Sequence, residues 1–281
     1  MKYKIIIAEA LHYPLSFVGK EKIEEELKVK DSNFHRYLEE INEKFEGWDF
    51  SSIYDTGRIQ NSLLSWSYGS KVISAMQGAT AILDMGTGGG EFLSLLKGYY
   101  PPTVYATEGY KPNVPIAKRK LEPLGVKVYE VIDDEHLPFP DNHFDLIINR
   151  HESYSVRELK RIIKTNGIFI TQQVGGWDCK ELNDWFGFAV NSEFKEWNLQ
   201  SALKNFSIDQ WEILEQREEF PTQRFYDLGA VLFYLKAIPW QIPDFSVEKY
   251  QDALYRLYQH LEEVGYLDAT QSRFYMKVKC K

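Results

Sequence analysis

The stretch from residue 81 to residue 97 constrains the fold more than any other. Ala81-Ile82-Leu83-Asp84-Met85 is apolar apart from one acid, Gly86-Thr87-Gly88-Gly89-Gly90 follows at once, and Glu91 to Lys97 has helical patterning. A buried strand that turns through closely spaced glycines into a helix sets the direction of everything after it. The same alternation continues. Val104 to Thr107 predicts a second strand, Val114 to Leu124 a helix, and Val126 to Val131 a third strand. Phe144 to Asn149 predicts a fourth strand, Val156 to Lys164 a helix, and Gly167 to Gln172 a fifth strand. Strands separated by helices in this way form a parallel sheet covered on both faces, and such sheets hold ligands at the carboxyl ends of their strands.

The flanks read differently. Gly19 to about Glu46 carries apolar residues at helical spacing and predicts two amphipathic helices broken near Asp31-Ser32-Asn33. Ser62 to Met76 predicts another helix, closed by Gly78. Residues 1–78 are therefore expected to be an N-terminal helical cap region, and residues 79–281 the sheet domain. After Gly176 the alternation loosens. Lys180 to Phe206 is expected to be mostly helix and Trp211 to Phe220 a sixth strand. Helices are expected between Tyr226 and Ala237 and between Val247 and Val264, and Arg273 to Lys279 predicts a last strand. Residues 221–271 then stand as a helical insertion before that strand, placed to act as a lid.

Composition narrows the function classes. The 33 Lys and Arg against 41 Asp and Glu give a net charge of −8, and an acidic surface repels phosphate backbones. The best basic run, Lys118-Arg119-Lys120 with Lys111, is short and reads as a solvated helix face, so nucleic acid is disfavoured as a partner. Cys179 and Cys280 are the two cysteines, with no His or Cys beside them at metal spacing, so no metal site or disulfide framework is expected. The apolar run Ile5-Ile6-Ile7-Ala8 stops at Glu9, and no stretch approaches the length of a membrane span. A cytoplasmic protein without membrane partners is the expectation, with its oligomeric state open. Aromatic residues make up 15% of the chain, enough to fill a core and also to line a ligand cavity.

The chemistry concentrates on three strand ends. At the first, Gly86, Gly88 and Gly90 form G-x-G-x-G after the acidic Asp84, whereas a dinucleotide fold wants G-x-G-x-x-G and here Glu91 follows Gly90. No Gly-Lys-Ser or Gly-Lys-Thr follows, which excludes a phosphate loop. At the second, Glu108-Gly109 places a carboxylate where it can accept hydrogen bonds from both hydroxyls of a ribose. After the third, Asp133-Asp134-Glu135 offers an acceptor for an exocyclic amine such as that of adenine.

Taken together, Leu83-Asp84-x-Gly86-x-Gly88-x-Gly90, Glu108 and Leu137-Pro138-Phe139-Pro140-Asp141-Asn142-x-Phe144-Asp145 resemble the motifs of class I S-adenosylmethionine-dependent methyltransferases. The similar branch is the one often called methyltransferase type 11, rich in small-molecule enzymes. Glu158-Leu159-Lys160-Arg161-Ile162-Ile163-Lys164-Thr165-Asn166-Gly167 resembles that branch's Glu-Leu-x-Arg stretch, with Thr165-Asn166 where Pro-Gly is usual. The resemblance implies a Rossmann-like α/β fold, a seven-stranded mostly parallel sheet with helices on both faces, closed by Trp211 to Phe220 and Arg273 to Lys279 as an antiparallel pair. It implies S-adenosyl-L-methionine as cofactor, held by Asp84, Gly86, Thr87, Gly88, Glu108, Gly109, Asp133, Asp134, Asn149 and Arg150.

Methyl transfer needs a nucleophile held opposite the methyl group, and a base only where the nucleophile arrives protonated. Asn149-Arg150-His151-Glu152 ends the fourth strand, so His151 and Glu152 are the catalytic candidates. That ending is not Asn-Pro-Pro-Tyr, the motif of amino-group methylation on DNA bases and glutamine. A small-molecule acceptor is expected, bounded by Trp66 and Tyr68 from the N-terminal region and by Tyr226 and Trp240 from the insertion. The alternatives are a methyltransferase acting on RNA or protein, and a protein that binds the cofactor without transfer.

Overall fold

The computed structural model describes residues 32–42 and 45–281. The expected helices from Gly19 to Glu46 fall largely outside these residues; within them, 32–39 is helical (α1) and a 3-10 turn follows at Glu40–Asn42. In chain order come α2 (Ser51–Tyr54), β1 (Ile59–Asn61) and α3 (Tyr68–Met76). The alternating region follows as β2 (Ala81–Met85), α4 (Glu91–Leu95), β3 (Thr103–Glu108), α5 (Val114–Leu121) and β4 (Lys127–Glu130). It continues with β5 (Phe144–Arg150), α6 (Val156–Ile162) and β6 (Ile163–Val174). The remainder is α7 (Lys180–Phe186), α8 (Leu199–Leu203), β7 (Trp211–Glu219), β8 (Thr222–Phe225), α9 (Leu228–Ala237), α10 (Gln251–Val264), β9 (Leu267–Thr270) and β10 (Arg273–Cys280).

Seven strands form one sheet in the order β4-β3-β2-β5-β6-β10-β7. The five from β2 to β6 run parallel, and β10 lies antiparallel between β6 and β7. The chain leaves β2 in one direction to build β3 and β4 and in the other to build β5 and β6. The carboxyl ends of β2 and β5 therefore open a crevice, the general ligand position of open α/β sheets. Every residue of β2 is buried, as a central parallel strand requires. Helices cover both faces, with Phe144, Ile147, Phe169 and Trp211 packed on one and Ile82, Val104, Leu146 and Tyr275 on the other.

The motif residues of the alternating region serve as fasteners. Glu158 accepts the Leu137 backbone N–H at 2.7 Å and pairs with Arg161, whose Nη1 and Nη2 donate to the carbonyls of Phe139 and Leu137 at 2.7 and 2.9 Å. Two sequence motifs twenty residues apart are thus one hydrogen-bonded unit. Asn166, the second residue of the Thr165-Asn166 pair, takes φ +66°, a conformation Asn tolerates better than most residues.

Three expectations are corrected. The helix expected over Ser62 to Met76 begins only at Tyr68, where the Ser67 hydroxyl caps it by accepting the Ser70 N–H at 3.2 Å. Lys180 to Phe206 is two short helices with turns between, because Gly187 in the left-handed region ends α7 and Asn191 caps the next turn through the Glu193 N–H at 3.0 Å. The N-terminal region and the insertion also share a three-stranded antiparallel sheet, β1-β8-β9, which was not expected. Its strands are three or four residues long, too short for an alternating pattern to stand out, and Ile59 pairs with Phe225 far along the chain. Arg58 joins the same two segments by bonding Asp227 at 2.5 Å and Glu40 at 2.6 Å. Around this sheet, α9 is buried on nearly all sides and anchors a second apolar core with α7 and α10.

Candidate functional site

The glycine turn is built by the backbone. Gly86, Gly88 and Gly90 adopt φ of +67°, +64° and +85°, where side chains are strained. Thr87 N–H donates to the Thr107 carbonyl at 2.9 Å and Gly90 N–H to the Thr87 carbonyl at 3.0 Å, tying the turn to the end of β3. A Cβ on Gly90 would stand 2.7 Å from Leu121 Cγ, so this glycine also sets how closely α4 approaches α5. Gly90→Ala is expected to destabilise the fold by about 2–4 kcal/mol, from backbone strain plus overpacking. Urea unfolding with a loss under about 0.5 kcal/mol would show the turn to be more adaptable than this geometry allows.

Glu108 faces the turn. It is 4% exposed, and its two carboxylate oxygens accept the Gly88 N–H and the Tyr110 N–H, each at 2.7 Å. Burial raises its pKa, while those N–H groups and that of Gly109 pull it back down. Gly109 is needed for proximity, since a Cβ there would meet the Val131 carbonyl at 2.7 Å. Asp84 is equally buried, and burial lifts its carboxyl to about 7 against the weaker pull of Thr87 and Arg150. The Thr87 hydroxyl is buried and makes no bond of good geometry.

The loops after β4 and β5 meet across the crevice. Asp134 accepts from Ser153 Oγ, while the exposed Asp133 accepts from the Glu135 N–H at 2.9 Å and pairs with His136 Nδ1 at 2.7 Å. Glu152 reaches back over the glycine turn, where a Cβ on Gly86 would collide with its side chain. Burial, followed by the charges of Asp134 and Glu108, raises the Glu152 carboxyl. Asp84, Glu108, Asp134 and Glu152 are therefore a mutually repelling group of carboxylates around one turn, an arrangement that favours a cation.

At the end of β5, Asn149 is fully buried. Its Oδ1 accepts from Thr171 Oγ1 at 2.9 Å and Gln173 Nε2 at 2.7 Å, and its Nδ2 donates to the Ser153 carbonyl at 3.3 Å. The Arg150 guanidinium lies over the Phe92 ring, 5.0 Å from its centroid. His151 takes φ +63°, uncommon for a non-glycine residue, and its Nε2 is 3.2 Å from Gln172 Nε2.

The four residues expected to bound an acceptor are dispersed. Trp66 and Tyr68 are core residues beneath the strand end, donating to Gln172 Oε1 at 2.9 Å and to the Asn149 carbonyl at 3.0 Å. Tyr226 lies on the small sheet and donates to Gln60 Oε1 at 2.8 Å. Trp240 is 51% exposed and parallel to Trp48, with ring centroids 6.2 Å apart. A Cβ on Gly88 would lie 3.2 Å from Trp48 Cβ, so this pair stands directly beside the glycine turn. Gln172 and Gln173 were missing from the residues expected at the site. Two adjacent amides at the end of an otherwise apolar strand were the available signal for them. Two open surface grooves, one bordered by Trp185 and Arg256 and the other by Leu38 and Phe245, include no residue of the turn.

Comparison with known proteins agrees with this geometry. The family described as Methyltransferase domain matches residues 83–171, the span from the glycine turn through most of β6. Residues 83–171 are a methyltransferase domain. A provisionally named methyltransferase from Bacillus halodurans C-125 is similar in fold, with 16% identity and a TM-score of 0.53 over 75% of this chain and 96% of its own. A protein of unknown function from Deinococcus radiodurans R1 is similar at 12% identity and the same TM-score of 0.53, over 78% of this chain and 90% of its own. A S-adenosylmethionine-dependent methyltransferase from Thiobacillus denitrificans, solved with S-adenosyl-L-homocysteine, shares 15% identity at a TM-score of 0.46 over 83% and 98%. No curated protein matches the chain in sequence. The sheet order and the family match together make this methyltransferase domain one of the class I, S-adenosylmethionine-dependent kind. No described helix of the methyltransferase is long and apolar enough to cross a membrane.

Proposed function

We propose that this methyltransferase modifies a small-molecule acceptor in the cytosol. The observation that carries the reading is the buried Glu108 carboxylate set against the Gly88 N–H. The residues present fit the cofactor: Glu108 for the ribose hydroxyls, and Gly86, Thr87 and Gly88 for the amino-acid end, where the Thr87 hydroxyl is buried with a hydrogen bond to give. Asp84 and Arg150 supply charges of both signs near that end, Gly109 the close loop approach, and Asp133 and Asp134 the acceptors for adenine. Asn149 fixes the strand end through its own buried bonds. When bound, S-adenosylmethionine supplies an electrophilic methyl group on a sulfonium.

This chain's own task is then positioning. Glu152, a carboxylate raised by burial and by its acidic neighbours, is the proton acceptor for any nucleophile that arrives protonated. His151 stands beside it. The insertion at 221–271 and the segment before β1 act as a lid, supported by the Trp48 and Trp240 rings beside the turn. Trp240→Ala is expected to raise the acceptor KM by roughly tenfold while leaving unfolding free energy within about 0.5 kcal/mol, since the ring is half exposed. An unchanged KM removes the ring from the acceptor site. A small acceptor is favoured by the net charge of −8 and the aromatic surroundings of the turn, and a cytosolic setting by the free, buried Cys179 and Cys280. The test is transfer of a labelled methyl group into fractionated cell extract. Label entering the ultrafiltrate supports the reading, and label confined to RNA or protein overturns it.

A further inference from the structure

A polar chain crosses the carboxyl end of β6 that no cofactor role accounts for. Trp66 Nε1 lies 2.9 Å from Gln172 Oε1, and Gln172 Nε2 lies 3.2 Å from His151 Nε2. The indole N–H can only donate, so the oxygen of the Gln172 amide must face Trp66 and its NH2 must face His151. An amide NH2 can also only donate, so His151 Nε2 must be the accepting, unprotonated nitrogen. A neutral imidazole keeps its one proton on the other nitrogen. Nδ1 has no partner among the described residues. The Trp66 indole, itself buried in the core, therefore fixes the tautomer of a histidine two side chains away.

The charges around the ring are also defined. Arg150 acts on it from the preceding position in the chain and makes no ion pair among the described residues, while its guanidinium lies over Phe92. Arg273 acts from the start of β10 and is held by Asp178 and by the Ser272 carbonyl at 2.8 Å. Glu152, the next residue, bends over Gly86. Burial first, and then the two guanidinium groups, hold the His151 pKa well below its ordinary value. A ring that is neutral, with its accepting nitrogen occupied, is poorly suited to remove a proton.

We infer that His151 is an Nδ1–H hydrogen-bond donor locked by the Trp66–Gln172 relay, and that it presents this proton to a negatively charged oxygen, such as a carboxylate, on the methyl acceptor. Gln172 and Trp66 are positioning residues in this account, and Glu152 alone is left for proton removal. The acceptor class rests on the function proposed above, because it takes the end of β5 as the place where the acceptor sits. The tautomer does not rest on it.

Long-range 15N–1H NMR of the full chain labelled at its histidine ring nitrogens reads the tautomer directly, with the His151 signals assigned by their loss in His151→Gln. The wild type is expected to show protonated Nδ1 and unprotonated Nε2 from about pH 6 to 8, the range in which an ordinary histidine titrates. In Trp66→Phe the amide is free to turn, and an Nε2–H population should appear. In Gln172→Glu the carboxylate accepts from both neighbours, so Nε2 gains a proton and the His151 titration moves up by at least about one pH unit. Acetate is expected to shift the Nδ1 resonance and methylammonium to leave it in place. An Nε2–H tautomer in the wild type overturns the inference whether or not either variant folds, and an Nδ1 resonance indifferent to acetate overturns the acceptor class. Loss of S-adenosylmethionine binding with the tautomer intact would instead count against the proposed function.

Discussion

Replacing Glu108 with alanine is expected to weaken binding of S-adenosylmethionine at least about 100-fold. Each charge-assisted hydrogen bond to a ribose hydroxyl contributes about 1.5–3 kcal/mol, and two of them exceed the roughly 2.7 kcal/mol that a 100-fold change represents. The variant also removes the acceptor shared by the Gly88 and Tyr110 N–H groups, so the turn loses one of its contacts with the end of β3 and keeps the Thr87 N–H to Thr107 carbonyl bond. The fold itself should survive, because burial already raises this carboxyl and its removal relieves that cost. Glu108→Gln keeps the shape and one acceptor oxygen, and is expected to fall between the two. Calorimetric titration gives the affinities and circular dichroism confirms the fold. An alanine variant that binds within about threefold of the wild type would take Glu108 out of the cofactor site.

The second large effect is a dependence of stability on pH that originates in Asp84. Its folded pKa is raised from 3.8 to about 7, chiefly by burial. Between those values the folded state holds a proton that the unfolded state has lost. Stability therefore falls as pH rises through this window, and the full cost is present only above about pH 7. A shift of this size corresponds to something on the order of 4 kcal/mol. Asp84→Asn cannot ionise and should remove most of the slope, becoming the more stable protein near pH 8 while differing little near pH 4. Urea denaturation across that range measures it. Parallel curves for the two proteins would mean that Asp84 ionises freely in the folded state. Such a cost at a strand end beside the glycine turn is consistent with a site that gives up stability to hold a cation.

How much of this could be read beforehand depended on the range of the interactions. β2, β3 and β5 were legible because a run of buried residues fills the middle of each, so the signal lies within a few neighbouring residues. Asp84, Glu108 and the three glycines were legible because strand ends and left-handed turns restrict residue type. The small sheet was not, since Ile59, Thr222 and Leu267 begin strands whose partners are distant in sequence and whose lengths leave no period to count. The dispersal of Trp66, Tyr68, Tyr226 and Trp240 has a similar cause. Aromatic rings mark apolar surroundings, but composition does not distinguish a core ring such as Trp66 from a surface ring such as Trp240; only packing does. The relay from Trp66 through Gln172 to His151 joins three segments, and no local pattern announces it.

The central claim is that the turn from Gly86 to Gly90 and Glu108 hold a sulfonium nucleoside and not a dinucleotide. Calorimetric titration of the wild-type chain with S-adenosylmethionine, S-adenosylhomocysteine and NAD tests it directly. The account predicts one-to-one binding of the first two and none of the third; binding of NAD without binding of S-adenosylmethionine would contradict it.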